Sequence, residues 1–404
     1  MKTFLYVEES ENDFVNALIL RQDIKLILIR FLNCLSFSEQ HLLDTADIPV
    51  FILDQKSDFA GNCERLAAFL QEVSTGIDVF FNDSEFNQVY IQRIARELHL
   101  PGALSSEQAD IVRDKVHMKD LLCRKGIPCP AYTVLFSRND AVACGLRWGY
   151  PFIIKWRIGV SSIEVYKVES PSFLESLNLD YSTGRYMAEQ YQSDKIWCLD
   201  AIVSDGKVIQ NLYTWLPFTN LDFAENKTRF CQMAVGTLPQ EWQFNPQMLT
   251  QQIVSALSLQ NGYLHLEAFI SPDGLPRVCE FAWRTPGDHM LKNFTLLYGI
   301  SVENFLIDVL LGNPVSVMPE TQGCVADVFL PMVEGVIRRI SSLAGLRESC
   351  GILAGEIRYC EGERLISRRT YTDSTGWVQV AGIDIPTIMK KIDKVYNSFI
   401  LEME

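Results

Sequence analysis

Residues 263–288, with the sequence YLHLEAFISPDGLPRVCEFAWRTPGD, restrict the fold of this chain most strongly, because they carry the pattern of a β-hairpin. Two runs of alternating polar and apolar residues flank a Ser-Pro-Asp-Gly turn. A register symmetric about Asp273 and Gly274 places Glu267 directly opposite Glu280, since each lies about six positions from the centre of the turn. The stretch therefore predicts two carboxylates that face each other on neighbouring strands.

The alternation gives the two faces of the predicted hairpin different characters. One face is wholly apolar and is expected to pack inward: Leu264, Leu266, Ala268, Ile270, Cys279, Phe281 and Trp283. The other face carries the carboxylates: Tyr263, His265, Glu267, Phe269, Val278, Glu280, Ala282 and Arg284. Two like charges directly opposite each other repel, and a hard cation such as Mg²⁺, which usually brings phosphate with it, would remove that repulsion. A solvated face, with both carboxylates in water, is the alternative.

The composition describes a globular chain that is too long for one ordinary hydrophobic core. A length of 404 residues predicts two or three domains, and 48% hydrophobic with 21% charged residues is typical of folded proteins. The net charge of −14 argues against nonspecific binding of nucleic acid or of an anionic membrane. A local basic pocket for phosphate stays compatible with that charge.

The sequence shows no signal for export or for membrane insertion. The N-terminus, MKTFLYVEES, lacks a basic region followed by a long apolar stretch, and no apolar run approaches the roughly 20 residues of a membrane-spanning helix. The eleven cysteines are scattered without a Cys-x-x-Cys pair, which favours reduced thiols over disulfides or a zinc site. We therefore expect a cytoplasmic protein.

The first 105 residues alternate strand-like and helix-like segments, which predicts a small parallel α/β sheet. The predicted strands are Phe4–Glu8, Lys25–Phe31, Val50–Asp54 and Asp78–Asn82, and the predicted helices lie near 10–21, 61–74 and 85–98. The sequence YVEESEN follows the first strand, so the Gly-x-Gly-x-x-Gly fingerprint is missing, which argues against a simple dehydrogenase. Polar residues at the strand ends either line a cleft or are ordinary strand-end residues: Glu8, Glu9, Asn82 and Asp83.

The middle of the chain carries two lysines in settings that suit a phosphate. Residues 106–128 predict one helix, capped by Ser106, with Lys115 near its middle. Lys155 ends an apolar strand that a Gly/Ser loop follows. A lysine on such a strand needs an anionic partner, and the backbone N–H groups and hydroxyls of the loop suit a phosphate. Taken alone, Lys115 is also compatible with an ordinary surface lysine.

The remaining segments predict strands, a long loop and further helices. Strands are expected at 186–191, 196–203 and 207–214, a loop at 216–240, and helices at 246–261, 287–311 and 384–402. Short strands and glycine turns between residues 323 and 404 predict a small separate α+β domain.

The order of these parts resembles the ATP-grasp superfamily of carboxylate–amine ligases, of the amino-acid ligase type. The matching segments are Asp114-Lys115, Ile-Pro-Cys-Pro at 127–130, Gly-Tyr-Pro-Phe-Ile-Ile-Lys at 149–155, the Gly/Ser loop, Glu189-Gln-Tyr, and Glu267 followed by Glu280-x-x-x-Arg284. The resemblance implies an ATP-grasp fold, combining α/β and α+β parts. It also implies a Rossmann-like N-terminal domain over residues 1–105, an ATP-grasp core over 106–322 with a lid near 150–215, and a small C-terminal α+β domain over 323–404.

The same resemblance implies a role for each matching residue. The phosphates of ATP would be contacted by Lys115 and Lys155 and covered by the loop that contains Gly159, Ser161 and Ser162. The adenine would be bound by Glu189 with the backbone of Gln190 and Tyr191. Metal binding, with two Mg²⁺ ions or Mn²⁺ in their place, would fall to Glu267 and Glu280, and Arg284 would stabilise the phosphorylated intermediate. The acyl pocket would be lined by Arg284, Gly287 and Asp288.

Two positions depart from the pattern of the superfamily. Ile196 stands where a glutamate usually binds the ribose, and Asp194 is the candidate to replace it. Ala282 stands where an asparagine usually supports the metal, which leaves open whether one or two ions bind. His265 is expected to be a packed residue or to support a ligand, and not to be a ligand itself.

The function implied by the resemblance is an ADP-forming ligase that activates an amino acid or small carboxylate as an acyl phosphate and joins it to an amine. Two alternatives stay open. One is a ligase that loads an amino acid onto an acyl carrier protein. The other is a catalytically weak ATP-binding relative, suggested by Ile196 and Ala282. The expected partners are small molecules, with the carrier protein and a homodimer as possibilities and without nucleic acid or membrane.

Overall fold

The computed structural model describes residues 1–34, 37–221, 223, 229–366 and 374–404. A parallel sheet near the N-terminus is followed by antiparallel sheets, and helices pack on them, as the prediction of combined α/β and α+β parts requires. Within these ranges we find no helix with both the length and the apolar character needed to cross a bilayer.

The N-terminal segment forms a four-stranded parallel sheet. Its strands are β1 (Lys2–Glu8), β2 (Ile24–Phe31), β3 (Val50–Leu53) and β4 (Val79–Asn82), in the order β3-β2-β1-β4. Its helices are α1 (Asp13–Ile19), α2 (Glu39–Asp44), α3 (Phe59–Val73) and α4 (Gln88–Glu97). Apolar clusters pack on both faces of this sheet, as parallel sheets require. The four strands predicted for this segment are confirmed.

Two short helices, α5 (Ser106–Ile111) and α6 (Lys115–Arg124), replace the single helix predicted over residues 106–128. That prediction is wrong because Asp114 has an extended backbone and accepts a hydrogen bond from the backbone N–H of Val116 at 2.8 Å, which starts a new helix. Ser105, and not Ser106, caps α5. Lys115 is consequently the first residue of α6, so its side chain extends from the N-terminal end of that helix.

The next segment forms a four-stranded antiparallel sheet over residues 132–190. Its elements are β5 (Tyr132–Leu135), α7 (Arg138–Trp148), β6 (Phe152–Trp156), β7 (Val165–Val168), α8 (Pro171–Ser176) and β8 (Tyr186–Gln190). The strand order is β5-β8-β6-β7. The loop between β6 and β7 contains three non-glycine residues with left-handed backbones, Ser161, Ser162 and Glu164, whose φ angles are 53°, 59° and 54°.

The strands that follow belong to a larger antiparallel sheet. They are β9 (Lys195–Ser204), β10 (Lys207–Leu216), β11 (Phe230–Val235), β12 (Gly262–Ile270) and β13 (Pro276–Trp283). The helices among them and after them are α9 (Pro246–Ala256), α10 (Met290–Tyr298) and α11 (Val302–Leu310). The prediction of a loop over 216–240 is wrong, because β11 pairs with strands on both sides and is buried throughout. The single helical segment predicted at 287–311 divides at Gly299.

The C-terminal segment adds strands to the same sheet. Its elements are β14 (Cys324–Leu330), β15 (Gly335–Ile340), α12 (Leu343–Cys350), β16 (Ala354–Ile357), β17 (Arg364–Leu365), β18 (Gly376–Gly382), α13 (Ile385–Ser398) and β19 (Leu401–Met403). The eight-stranded sheet has the order β13-β12-β9-β10-β11-β14-β18-β16, and a small sheet has the order β17-β15-β19. Hydrogen bonding between β11 and β14 therefore crosses the boundary expected at residue 322, and the division into domains stays a prediction.

Candidate active site

The hairpin of β12 and β13 holds the two carboxylates opposite each other. Glu267 pairs with Glu280, and His265 pairs with Ala282, which confirms the predicted register on this side of the ladder. The next pair is Ala268 with Val278, so the register shifts by one residue at a β-bulge.

The bulge corrects the predicted faces of the hairpin. Val278 packs in the apolar core and Cys279 lines a cavity, although the alternation assigned them to the opposite faces. The reason is that an extra residue in one strand reverses the side-chain alternation beyond it. Glu267 and Glu280 keep their common face because they lie on the turn-distal side of the shift.

A cavity of about 210 Å³ lies where α6, the sheet of residues 132–190 and the hairpin meet. Most of the predicted site residues line it: Lys115, Lys155, Gly159, Ser161, Ser162, Glu189, Tyr191, Glu267, Glu280, Arg284 and Gly287. Gln190 and Asp288 are not part of this lining. The backbone N–H of Gln190 donates to the carbonyl of Ala131 at 2.8 Å, so within the sheet it already has a partner.

Lysine–carboxylate pairs form one wall of the cavity. Lys115 Nζ lies 3.0 Å from Glu280 Oε2 and donates to the carbonyl oxygen of Gly159 at 2.7 Å. Glu189 Oε2 lies 2.8 Å from Lys119 Nζ and 3.2 Å from Lys155 Nζ. These contacts join α6, the loop after β6 and the hairpin, so the predicted phosphate ligands are held together before any ligand binds.

The pairs fix the charge state of the groups involved. Burial would lower the pKa of Lys155, but the carboxylates of Glu189 and Glu280 outweigh it and the net shift is upward. Burial would raise the pKa of Glu189, and Lys119 with Lys155 reverses that shift. For Glu280 burial again acts upward, while Lys115 and Lys155 hold its pKa down at about 2. At neutral pH the cavity wall therefore presents a charged Lys155 beside ionised Glu189 and Glu280.

Lys119 is a central residue that the sequence argument did not identify. Its side chain is fully buried, and its Nζ donates to the carbonyl of Cys279 at 3.0 Å as well as pairing with Glu189. Lys115 and Lys119 stand four residues apart on α6 and therefore face the same side of the helix. That spacing was the available signal, but the sequence argument used only Lys115, the residue that the resemblance matched.

The donor set around Glu267 suits a divalent metal ion. Glu267 and Glu280 offer carboxylate oxygens, the ligands that Mg²⁺ and Mn²⁺ prefer. His265 Nε2 lies 3.7 Å from Glu267 Oε1, and Nδ1 lies 2.8 Å from Asp200 Oδ1. Asp200, which is fully buried, also accepts a hydrogen bond from Tyr263. Burial lowers the pKa of His265, but Asp200 and Glu267 outweigh burial and bring it to about 10, which fits a supporting residue.

Arg284 is held in place by a residue from the N-terminal segment. Its Nε donates to Glu85 Oε2 at 2.8 Å, and a second guanidinium nitrogen contacts the same oxygen. Burial would raise the pKa of Glu85, and Arg284 with Lys115 and Arg113 turns the shift downward. Glu85 and Arg113 both line the cavity and were not identified from the sequence.

The predicted strand-end residues of the N-terminal sheet have mainly structural contacts. Glu8 is buried against Arg30 and His41. Asp83 accepts hydrogen bonds from the backbone N–H of Thr285 at 2.7 Å and from the hydroxyl of Tyr6 at 2.7 Å. Through Asp83, the N-terminal segment therefore holds the stretch of chain that follows Arg284 in place.

A group of buried polar residues lies beside the cavity, around the start of α10. Asp327 on β14 is fully buried, and burial raises its pKa to about 7 even though His289 acts in the opposite direction. Burial also raises the pKa of Asp288. These carboxyl groups differ from Glu189 and Glu280, whose lysine partners hold them ionised.

Asp327→Asn is expected to change how stability depends on pH. Between about pH 4 and pH 7 the unfolded chain has lost the Asp327 proton while the folded chain keeps it, so this group makes stability fall as pH rises, by at most about 1.4 kcal/mol per pH unit. Urea unfolding of both proteins should show a gain for the variant that grows up to about pH 7 and then levels off. A gain that is equal at all pH values would contradict this, and Asp308→Asn, at a partly exposed ion pair, is the matched control.

Comparison with known proteins identifies the fold. No family model matches the chain. The L-arginine-specific L-amino acid ligase of Bacillus subtilis is 22% identical over 269 residues, and the match covers 64% of each chain. The crystal structure of an L-amino acid ligase from Bacillus licheniformis superposes with a TM-score of 0.77 at 15% identity, covering 100% of this chain and 99% of that one. The chain has the ATP-grasp fold.

A second ATP-grasp structure is similar over the whole chain. Carboxyaminoimidazole ribonucleotide synthase from Aspergillus clavatus, complexed with ATP, superposes with a TM-score of 0.71 at 14% identity, covering 98% of each chain. Ile196 and Ala282, the two residues that depart from the sequence pattern of the superfamily, both line the cavity. Asp194 lies 3.3 Å from Arg277 and is not part of the lining, so the geometry gives no support to its replacing the ribose glutamate.

Proposed function

We propose that this chain is an ATP-dependent carboxylate–amine ligase that forms an acyl phosphate from an amino acid and passes the acyl group to an amine, releasing ADP and phosphate. The observation that carries the proposal is the meeting of Glu267, Glu280, Lys115, Lys155 and Arg284 in one cavity of an ATP-grasp fold. The L-amino acid ligases that the chain resembles support the amino-acid substrate.

The chemistry calls for positive charge and positioning more than for a nucleophilic side chain. A carboxylate is a poor acyl donor because oxide cannot leave, whereas an acyl phosphate loses phosphate readily. Transfer of the γ-phosphoryl group depends on alignment and on neutralisation of charge. A divalent ion, Mg²⁺ or Mn²⁺, held by Glu267 and Glu280 would supply part of that charge.

The lysines of the cavity would supply the rest of that charge. Lys115 and Lys155 would exchange their carboxylate partners for phosphate oxygens, and this exchange would free Glu280 to hold the metal. Glu189 would keep Lys119 as its partner, and its place at the end of β8 puts it next to Tyr191, where we place the adenine. The lysine–carboxylate pairs thus preserve the charges that ATP needs.

The remaining groups position the acyl substrate and exclude water. Arg284, oriented by Glu85, would bind the oxygens of the acyl phosphate. The loop with Gly159, Ser161 and Ser162 lies at the cavity wall, and its left-handed residues are typical of strained functional loops. Closure of this loop would keep water from hydrolysing the intermediate.

The two alternative functions that the sequence left open have less support than this proposal. Among the similar proteins, those named as amino acid ligases favour a free amino acid over a carrier protein as the acyl substrate. The cytoplasmic location and a homodimer stay predictions.

Nucleotide products test the proposed function directly. The purified chain, Mg²⁺·ATP and pools of amino acids are expected to release phosphate and ADP in an amino-acid-dependent manner. Formation of AMP would indicate adenylation and would contradict an acyl phosphate. No nucleotide turnover across all pools would favour the catalytically weak relative.

Lys155→Met is expected to weaken binding of a non-hydrolysable ATP analogue by about tenfold, equivalent to about 1.4 kcal/mol. The variant removes a buried charge that we place on the phosphates, while Lys119 continues to balance Glu189. Calorimetry measures the affinity, with Lys207→Met on the exposed start of β10 as the control. Equal affinities of Lys155→Met and the wild type would show that Lys155 does not contact the phosphates.

A further inference from the structure

A thiol, an imidazole and a carboxylate lie close together on the neighbouring strands β9 and β12. Cys198 on β9 pairs directly with Glu267 on β12, and His265 lies two positions before Glu267 on the same face of that strand. One sulfur, one imidazole nitrogen and one carboxylate oxygen of these residues lie within 4.8 Å of one another. All three residues line the cavity, so an ion in solution can reach them.

The spacing of the three donors is close to that of a tetrahedral zinc site. Zn²⁺ binds thiolate sulfur at about 2.3 Å and imidazole nitrogen or carboxylate oxygen at about 2.0–2.2 Å, which places its ligand atoms roughly 3.3–3.6 Å apart. His265 Nε2 lies 3.7 Å from Glu267 Oε1, already near that distance. Shifts of about 1 Å would bring all three donors to an ion, with the cavity leaving its fourth position open to water.

His265 is held as a metal-binding imidazole usually is. Its Nδ1 lies 2.8 Å from Oδ1 of Asp200, which is fully buried and also accepts a hydrogen bond from Tyr263. A carboxylate on one ring nitrogen is the common partner of a metal-binding histidine, because it fixes the ring and leaves the other nitrogen for the metal. In this chain the other nitrogen, Nε2, lies on the side of Glu267.

The chemistry of the donors selects the kind of ion. Mg²⁺ takes oxygen ligands, so it suits Glu267 with Glu280, whereas thiolate and imidazole are ligands of Zn²⁺. Glu267 belongs to both sets. Burial raises the pKa of the Cys198 thiol, so Zn²⁺ has to displace its proton, as the ion does at other thiolate sites. The absence of a Cys-x-x-Cys pair does not conflict with such a site, because its donors come from two separate strands.

We propose that Cys198, His265 and Glu267 bind Zn²⁺ at the cavity wall, and that the bound ion inhibits ATP turnover because it takes Glu267 away from Mg²⁺. The inhibition rests on the proposed ligase function, whereas the binding does not. Since the two ions share one carboxylate, each should weaken the binding of the other.

Zinc binding is tested first and without nucleotide, so the test does not depend on ligase activity. The Sγ atoms of Cys123 and Cys129 lie 3.8 Å apart outside the cavity lining and offer Zn²⁺ a second place to bind. The Cys123→Ser/Cys129→Ser protein is therefore the starting protein. Calorimetry is expected to show one Zn²⁺ per chain, and Co²⁺ in its place should give the near-ultraviolet charge-transfer absorption of a cobalt–thiolate bond.

Variants of the starting protein locate the ion. Cys198→Ser is expected to abolish the cobalt–thiolate absorption and to lower the affinity for Zn²⁺ at least about tenfold. Asp200→Asn leaves all three donors in place and is expected to lower that affinity by about 10- to 100-fold, the effect of losing the partner of a metal-binding histidine. Cys231→Ser, at a buried cysteine on β11 outside the cavity lining, is the matched control and should behave like the starting protein.

Two results would overturn the site. One is absence of Zn²⁺ binding by the starting protein, and the other is a cobalt–thiolate absorption that survives in Cys198→Ser. If Asp200→Asn does not fold, as circular dichroism would show, Cys198→Ser and its control decide.

Inhibition is measured as phosphate release at several Mg²⁺ concentrations, with free Zn²⁺ set by a metal buffer and each protein compared with its own turnover without Zn²⁺. The Zn²⁺ concentration that halves turnover is expected to rise with Mg²⁺ and to be at least about tenfold higher for Cys198→Ser. Equal sensitivity of the variant and the starting protein would overturn the inhibitory role. Absence of turnover under all conditions would remove the ligase proposal and the inhibition with it, while the binding measurements would still decide the zinc site.

Discussion

Glu280→Ala is expected to lower ATP turnover by about 10²- to 10³-fold, the range found when one electrostatic contact to a transition state is removed. Glu280 connects the metal-binding and phosphate-binding parts of the proposed site: it lies opposite Glu267 on the hairpin, and its Oε2 is 3.0 Å from Lys115 Nζ. Because its pKa is held at about 2, it is an ionised oxygen donor throughout the range of any assay. Its loss removes one of the two carboxylates for the metal and leaves the charge of Lys115 unbalanced before ATP arrives.

The fold is expected to persist in this variant, since about a third of the Glu280 side chain, 32%, is exposed and Lys115 keeps its hydrogen bond to the carbonyl of Gly159. Phosphate release gives the turnover, and thermal unfolding checks the fold. Glu320→Ala, at an exposed position between α11 and β14, is the matched control. Wild-type kinetics in Glu280→Ala would show that the opposed carboxylates do not hold the metal.

The hairpin could be predicted because its information is local. A turn of Ser-Pro-Asp-Gly indicates where the chain reverses, and a period of two indicates which side chains share a face. The pairs next to the turn, Ala268 with Val278 and Ile270 with Pro276, lie one residue off the predicted register, and the bulge restores the predicted pairing of Glu267 with Glu280. The bulge could not be predicted in the same way. It inserts Cys279 into the cavity wall, where its carbonyl accepts from Lys119, a contact between residues 160 positions apart.

The errors in secondary structure have a common origin in contacts that are distant in sequence. Strand β11 follows a charged stretch and has a weak local pattern, and it exists because β10 and β14 hydrogen-bond to its two edges. The break between α5 and α6 depends on Asp114, whose carboxylate also pairs with Arg157 at 2.7 Å. Local helix propensity favoured one continuous helix there, and tertiary contacts overrode it.

The site residues missed by sequence reasoning also depend on distant partners. Glu85 lies 199 positions from Arg284, and Gln232, which lines the cavity, lies on β11, where the sequence predicted a loop. Motifs identify groups that touch a nucleotide, because the spacing of those groups is repeated within a superfamily. The groups that orient them, such as Glu85, come from other elements, and their contacts become visible only when the chain is folded.

Lys119→Met is expected to destabilise the fold by about 3 kcal/mol, the lower end of the range for removing one partner of a buried ion pair. The Lys119 side chain is wholly buried, and its loss takes a charged partner from Glu189 and a donor from the carbonyl of Cys279. The cost stays at the lower end because Lys155 remains 3.2 Å from Glu189. Urea unfolding measures it, and Lys125→Met, at the exposed end of α6, is the matched control.

A double-mutant cycle with Glu189→Gln separates the ion pair from the packing of the long side chain. If the pair is the cause, Lys119→Met should cost at least about 1 kcal/mol less when Glu189 is already neutral, since the uncompensated charge is then absent. An equal cost in both backgrounds would assign the effect to packing and to the hydrogen bond with Cys279. If Lys119→Met lowers the free energy of unfolding no more than Lys125→Met does, Lys155 alone balances the charge of Glu189. Lys119 would then be available to bind the nucleotide.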